Sequence, residues 1–101
     1  MVKDMAVNIK VKIKLFDLLA NLAGKKEIIF DIPLNTSLED VIQLLFNSYP
    51  EVKNLLVNED GKYTSFLLVY NNSVELNSQN YKSFPVEDNS EIMLILPGVG
   101  G

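Results

Sequence analysis

Two segments near the start of the chain alternate between apolar and polar residues. Residues 7–15 place aliphatic side chains on one face and asparagine or lysine on the other, and residues 27–33 alternate in a similar way. A period of two with β-branched residues predicts a half-buried strand. Leucines at helical spacing in residues 16–23, followed by Gly24 as a helix-ending residue, predict a short helical turn between the two strands.

A longer apolar pattern with helical periodicity comes next. Apolar residues recur from Leu38 to Tyr49 at i, i+3, i+4, i+7 and i+11, which forms one stripe of an α-helix. Ser37 is a favourable capping residue immediately before the stripe, and acidic residues follow it. Pro50 ends the pattern, because a proline disfavours helical backbone at the residue before it. The segment predicts the one substantial helix of the chain.

The rest of the chain predicts three further strands, at residues 66–70, 74–76 and 91–96, and an irregular segment at residues 77–86. The resulting order, β-β-α-β-β-β, predicts an α+β fold in which one main helix packs on one face of a mixed sheet. This is the β-grasp, or ubiquitin-like, arrangement, with the first and last strands parallel at the centre. We expect residues 1–101 to form a single domain of this kind with a flexible C-terminal tail at residues 97–101.

Two predicted strands carry more apolar residues than a sheet with one covered face needs. Residues 66–70 and 92–96 are apolar at every position, whereas a half-exposed strand alternates with polar residues. The side chains expected to face the helix are Phe66, Leu68, Tyr70, Ile92 and Leu94. The side chains expected to face outward, as a partner-binding patch, are Leu67, Val69, Met93 and Ile95. The alternative is that these strands are simply apolar or that a loop such as residues 77–86 covers them.

The composition of the 101 residues restricts the chemistry that the chain can perform. Cysteine, histidine and arginine are all absent, so disulfides, thiolate metal sites and the commonest proton shuttle are missing. The formal net charge of −4 disfavours nucleic-acid binding, which rests on a basic face. Neither a signal peptide nor a membrane span is visible, and we expect a cytoplasmic protein that is not an enzyme on its own. The outward face of the first strand carries a row of lysines, Lys10, Lys12 and Lys14. This row predicts either a solvated face or a surface that attracts an acidic partner.

The segment after the last predicted strand is rich in glycine. It consists of Pro97, Gly98, Val99, Gly100 and Gly101. Because it lacks Cβ atoms, a diglycine can extend through a channel too narrow for side chains and carry a carboxylate to a buried site. Once activated, for instance as an acyl-adenylate, that carboxylate can be attacked by a sulfur donor or an amine. We expect Gly101 to be the reactive residue, Gly100 to share its channel, and residues 97–99 to contact the partner.

Several short motifs along the chain are typical of one family. They are an opening strand with an Ala-Gly turn (residues 12–16 and 22–25), a capped helix with a Tyr-Pro-Glu ending (36–38, 44–45 and 49–51), a hairpin (69–72), the turn before the last strand (87–92) and the tail (97–101). By these motifs the chain resembles the ubiquitin-like sulfur carriers of the MoaD/ThiS type, and is most similar to the small subunit of molybdopterin synthase. Asn72 and Asn89 stand where that family often has glycine, and asparagine enters positive φ more readily than most residues.

The resemblance implies a reaction cycle centred on Gly101. In this family an E1-like adenylating enzyme uses ATP and magnesium to form an acyl-adenylate at the terminal glycine, and a sulfur donor protein supplies the sulfur of a thiocarboxylate. The molybdopterin synthase large subunit then receives the tail and transfers sulfur to a pterin precursor, in molybdenum cofactor biosynthesis. The resemblance implies that this chain binds no cofactor or metal itself.

Other functions fit the same tail and remain open at this point. A ubiquitin-related protein modifier or tRNA-thiolation carrier would use the same activated glycine, as would a sulfur carrier of the thiazole pathway. A β-grasp interaction module would have the fold without any chemistry at Gly101. The fold alone separates none of these functions.

Overall fold

The computed structural model describes residues 7–97, which form a five-stranded mixed sheet packed against helices. The strands are β1 (Asn8–Leu15), β2 (Glu27–Pro33), β3 (Leu68–Asn71), β4 (Val74–Leu76) and β5 (Ser90–Ile95). Across the sheet the order is β2-β1-β5-β3-β4. β1 and β5 are parallel neighbours at the centre, and all other neighbours are antiparallel. The predicted α+β fold of β-grasp type is confirmed.

Three α-helices connect these strands, namely α1 (Asp17–Ala23), α2 (Leu38–Ser48) and α3 (Pro50–Leu56). α2 is the main helix, and the Ser37 hydroxyl caps it by accepting a hydrogen bond from the Asp40 N–H at 3.1 Å. Pro50 opens α3, at a position where a helix loses nothing by lacking an N–H. Among residues 7–97, the helices are too short or too polar to cross a membrane.

The segment between β4 and β5 contains a helix that the sequence analysis did not predict. A 3₁₀ helix covers Ser78–Ser83, and the Asn77 side chain caps it by accepting a hydrogen bond from the Gln79 N–H at 3.0 Å. Tyr81 is buried and packs in the core. The prediction of an irregular segment is wrong for these residues, because the Asn77 cap and the buried Tyr81 hold this turn against α2.

The core lies between α2 and the inner face of the sheet. On β1 and β5 every second side chain is buried, and α2 contributes the stripe that its sequence predicts. The fully buried residues of this layer include Ile13, Leu15, Leu38, Ile42, Leu45, Ile92 and Leu94. Each such side chain contributes about 1.5–3 kcal/mol through burial, which makes this layer the main source of stability.

The structure corrects the predicted orientation of β3. Val69, which was expected to face outward, is completely buried and pairs with the buried Leu94 of β5. Leu68 and Tyr70 therefore lie on the outer face, since successive strand residues alternate. Leu67 lies just before the strand and packs against the core, while Phe66 is exposed instead of buried. Residues 66–70 are all apolar, so their sequence does not show which side chains face the core. The pairing of β3 with β5 decides the orientation.

Candidate functional site

The site is organised around the end of β5, from which the glycine-rich segment departs. β5 pairs with β1 on one side and with β3 on the other, so its end is held on both sides. Leu96 is half-buried against the core, and Pro97 is exposed. The other predicted tail residues, Gly98, Val99, Gly100 and Gly101, lie outside the described residues. Whatever follows Pro97 starts from a fixed point at one end of the sheet.

The outer face of β3 and β5 carries a half-buried apolar surface. Leu68 pairs with Ile95 and Tyr70 pairs with Met93, and these four residues form what we call the outer patch. Met93 and Ile95 were predicted to face outward and do so. Leu68 and Tyr70 replace Leu67 and Val69, and no signal in the apolar run distinguishes the two sets. A continuous apolar surface of this kind is typical of protein interaction sites.

The outer face of β1 is charged, in contrast to the outer patch. Lys10 Nζ lies 2.9 Å from Asp31 Oδ1, Lys14 Nζ lies 3.3 Å from Glu91 Oε2, and Lys12 Nζ lies 3.9 Å from Glu27 Oε1. The hydrogen bond to Asp31, together with its charge, raises the pKa of Lys10. Exposed ion pairs add little to stability, but they neutralise the lysine row from within the chain. The outer face is thus half charged and half apolar.

Two phenylalanines that the sequence analysis did not predict to be exposed lie at the same end of the sheet as Pro97. Phe16 follows directly after β1 and is 39% exposed, and Phe66 precedes β3 and is 70% exposed. Beside Phe16 is an open depression of about 370 Å³ whose lining includes Lys14, Ala20 and Lys26. The sequence gives little indication that Phe16 and Phe66 are exposed, because their exposure depends on how the surrounding strands are placed.

A half-buried cluster of tyrosine and glutamate side chains lies on the helical side of the molecule. The Tyr63 hydroxyl donates a hydrogen bond to Glu39 Oε1 at 3.0 Å, and Gln43 Nε2 donates one to Glu39 Oε2 at 3.0 Å. Burial and the Glu39 charge raise the pKa of Tyr63 well above its usual range and that of Tyr81 to about 12. Both phenols are therefore protonated near neutral pH, and the cluster ties the loop before β3 to α2.

Metal-ligating side chains do not gather within the part of the chain that the structure describes. Groups of three or more acidic residues able to hold a metal ion are not found there. What the described residues do bring together is the end of β5, the outer patch and two exposed phenylalanines. Exposed and half-buried apolar side chains gathered in this way are typical of protein interaction sites.

Comparison with known proteins places this architecture among small ubiquitin-like proteins. No protein-family model and no curated protein matches the chain. Among solved structures, SAMP1 from Haloferax volcanii is similar with a TM-score of 0.79 and 22% identity, covering 91% of this chain and 99% of that one. A putative molybdopterin converting factor, subunit 1, from Pyrococcus furiosus has a TM-score of 0.70 and 20% identity, covering 88% of this chain and 98% of that one.

A third similar structure was determined as part of an assembly. It is the BexX/CysO complex from Amycolatopsis orientalis, with a TM-score of 0.68 and 19% identity, covering 90% of this chain and 99% of the matched chain. All three alignments span nearly the full length of both partners, so the likeness concerns the whole fold and not one motif. The chain therefore has the ubiquitin-like β-grasp fold, in agreement with the fold implied by the resemblance of its sequence to MoaD-type proteins.

Proposed function

We propose that this protein is a sulfur carrier in which Gly101, in a chain that ends there, is the reactive residue. An E1-like adenylating enzyme joins the Gly101 carboxylate to AMP from ATP with release of pyrophosphate. A persulfide of a sulfur donor protein then attacks the acyl carbon, AMP leaves, and a thiol co-reactant reduces the S–S bond of the resulting acyl disulfide, which releases the thiocarboxylate. The catalytic groups, ATP and magnesium belong to the partner enzymes, in keeping with a chain that has no histidine, cysteine or arginine.

The observation that supports this proposal most is the position of β5. The strand is hydrogen-bonded on both sides and leads through exposed Pro97 into the glycines. A rigid central strand fixes where the segment starts, and residues without a Cβ suit a narrow channel. The fold then delivers a carboxylate to a partner site at a defined distance from its own docking surface.

We further propose that the sulfur is passed to a pterin precursor in molybdopterin synthase, with this chain as the small subunit. The motif resemblance along residues 9–101 supports this assignment, as does the structural likeness to the putative molybdopterin converting factor from P. furiosus. The large subunit would cover the outer patch, receive residues 97–101 and supply the basic and proton-transferring residues that this chain lacks.

A second candidate function is protein modification through the same glycine. The likeness to SAMP1 from H. volcanii, with a TM-score of 0.79, favours it. In this function an amine, such as a lysine side chain, attacks the activated Gly101 and forms an amide. The two functions share the adenylation step and differ in what accepts the activated carbonyl.

The test of the shared step is intact mass after co-expression with an adenylating enzyme and sulfur donor from the same source. We expect the mass increase of sulfur replacing one oxygen. Deletion of Gly101, or Gly100→Ala, should abolish the increase without changing the thermal unfolding midpoint, because both lie beyond the last strand. A deletion variant that still gains sulfur contradicts the carrier function.

The test of the acceptor uses the thiocarboxylated chain. With the large subunit and the pterin precursor, we expect the thiocarboxylate to revert to carboxylate as the precursor gains sulfur. Under protein modification, the precursor stays unchanged and a ladder of lysine conjugates appears on a denaturing gel.

A further inference from the structure

The loop between α3 and β3, residues 57–67, presents one unusually exposed aromatic side chain. Phe66 is 70% exposed, more than any other large apolar side chain in the part of the chain that the structure describes. Transfer of a phenyl ring from water to an apolar site is strongly favourable. Exposed aromatic side chains that gain such a site on a partner are typical anchors of protein interfaces.

The exposure of Phe66 is imposed by a loop that is tied down at several points. Asn58 N–H donates to the Lys62 carbonyl at 2.7 Å, and Thr64 N–H donates to the Leu56 carbonyl at 2.8 Å. The Tyr63 hydroxyl binds Glu39 on α2. These contacts hold the backbone on both sides of Tyr63.

The residues next to Phe66 hold it in the same way. Leu67 N–H donates to the Thr64 carbonyl at 3.2 Å, and the Leu67 side chain packs against the core. Because Leu67 takes the inward position, Phe66 is left on the outside of the turn. Its exposure follows from the fold and does not reflect a loop without contacts.

Phe66 lies at the same end of the sheet as the glycine-rich segment. Leu68 pairs with Ile95 in antiparallel orientation, so residues before Leu68 and residues after Ile95 leave the sheet together. On the other side of β5, Leu15 pairs in parallel with Leu94, and Phe16 follows it. Two exposed phenylalanines thus flank the strand that leads to Pro97.

The length of the segment limits how far from this end of the sheet a protein that acts on Gly101 can lie. From Pro97 to Gly101 is four residues, which span at most about 14 Å when fully extended. A protein that acts on the Gly101 carboxylate must bring its surface within that distance of Pro97. Such a protein faces the sheet end where Phe16 and Phe66 are exposed.

We propose that Phe66 is a recognition anchor for the enzyme that adenylates Gly101, with Phe16 as a second and weaker contact. The enzyme would hold an apolar pocket for the Phe66 ring beside the entrance of the channel that takes the diglycine. This inference rests on the proposed function. The adenylating enzyme is common to both candidates, sulfur transfer to a pterin and protein modification. It assigns a specificity role to the α3–β3 loop, since a carrier without this side chain leaves the pocket empty.

The experiment measures ATP–pyrophosphate exchange by the E1-like adenylating enzyme of the same organism, with the full chain as substrate. Phe66→Ala should raise KM at least about tenfold with kcat unchanged, because the ring contacts the enzyme outside the site in which the carboxylate reacts. Phe66→Leu should recover part of the loss, and Phe16→Ala should have a smaller effect. Val74→Ala is the matched control, since Val74 is 62% exposed at the opposite end of the sheet.

Thermal unfolding of each variant is measured alongside, and all should unfold within a few degrees of the parent chain because none of these side chains is buried. A KM for Phe66→Ala within twofold of the parent value, while deletion of Gly101 abolishes exchange, overturns the anchor and leaves the carrier function standing. Exchange that survives deletion of Gly101, or that the parent chain does not support, overturns both.

Discussion

Asn72 has two roles at the turn between β3 and β4. Asn72 and Ser73 both have positive φ, 50° and 71°, as a two-residue type I′ hairpin turn requires. Asn72 Oδ1 also accepts a hydrogen bond from the Glu91 N–H at 2.9 Å, and the Asn72 N–H donates to the Glu91 carbonyl at 2.8 Å. The side chain therefore supports the turn conformation and ties the hairpin to β5.

We expect Asn72→Ala to lower the free energy of unfolding by about 1–2 kcal/mol, through the lost hydrogen bond and the strain of alanine at positive φ. Asn72→Gly should lose less, because glycine adopts this φ without strain. Urea denaturation measures both variants. An alanine variant as stable as the glycine variant would show that the φ of this residue carries no cost.

Tyr63 and Tyr81 make the free energy of unfolding depend on pH in the alkaline range. The pKa of Tyr81 is raised to about 12, first by burial and then by the Glu39 charge, and the pKa of Tyr63 is raised by the same causes. Unfolded tyrosine ionises near pH 10, so the unfolded chain loses these protons first. The stabilisation is complete below about pH 10 and is lost as the pH rises through about 12.

We therefore expect the free energy of unfolding to fall between about pH 10 and pH 12. The raised pKa of Lys10 acts in the same direction, so the tyrosine share must be isolated by substitution. Tyr81→Phe should flatten the fall relative to the parent chain, measured by chemical denaturation at each pH. An equal slope in the parent and variant chains would exclude Tyr81 as a cause.

At the scale of elements, the cap of α2 is a local and separable contribution. The Ser37 hydroxyl accepts a hydrogen bond from the Asp40 N–H, one of the four N–H groups that a helix start leaves unpaired. Ser37→Ala should lower the free energy of unfolding by about 1 kcal/mol, measured by urea denaturation. Ser48→Ala, at the exposed end of the same helix, is the control and should change little.

The orientation of β3 and β5 predicts opposite effects for a substitution on the inner face and one on the outer face. Val69→Asp places a charge in the core and should abolish folding, because Val69 is completely buried. Ile95→Asp changes the outer patch and should leave a folded chain that binds its partner at least about tenfold more weakly. Circular dichroism and a binding titration with the large subunit separate the two results. An unfolded Ile95→Asp chain would show that Ile95 belongs to the core.

At the scale of the whole molecule, the surface predicts a stable assembly with a larger catalytic subunit. The outer patch is apolar, the formal net charge is −4, and the chain has no histidine, cysteine or arginine with which to bind an anionic pterin. Light scattering of the mixed subunits at tens of micromolar should show a hetero-oligomer. The chain alone should not convert any pterin precursor. A mixture that stays monomeric would favour protein modification over the synthase function.

The strands β1 and β2 and the helix α2 were predictable because their patterns are local. Lys10, Lys12 and Lys14 alternate with buried aliphatic residues, and the stripe from Leu38 has the helical period. The positive φ of Asn72 and Asn89, 50° and 64°, also follows from their place in turns. In each case the deciding interaction lies within a few residues of chain, so the sequence by itself determined these elements and, through their order, the fold.

The phase of β3 and the composition of the site were decided only by the tertiary structure. An apolar run without polar residues does not indicate which face of the strand points inward. The pairing of Val69 with the buried Leu94 decides this. The 3₁₀ turn at Ser78–Ser83 depends on Tyr81 reaching the core. Phe16 and Phe66 are fifty residues apart in the chain, and only the strands on either side of β5 bring them to the same end of the sheet.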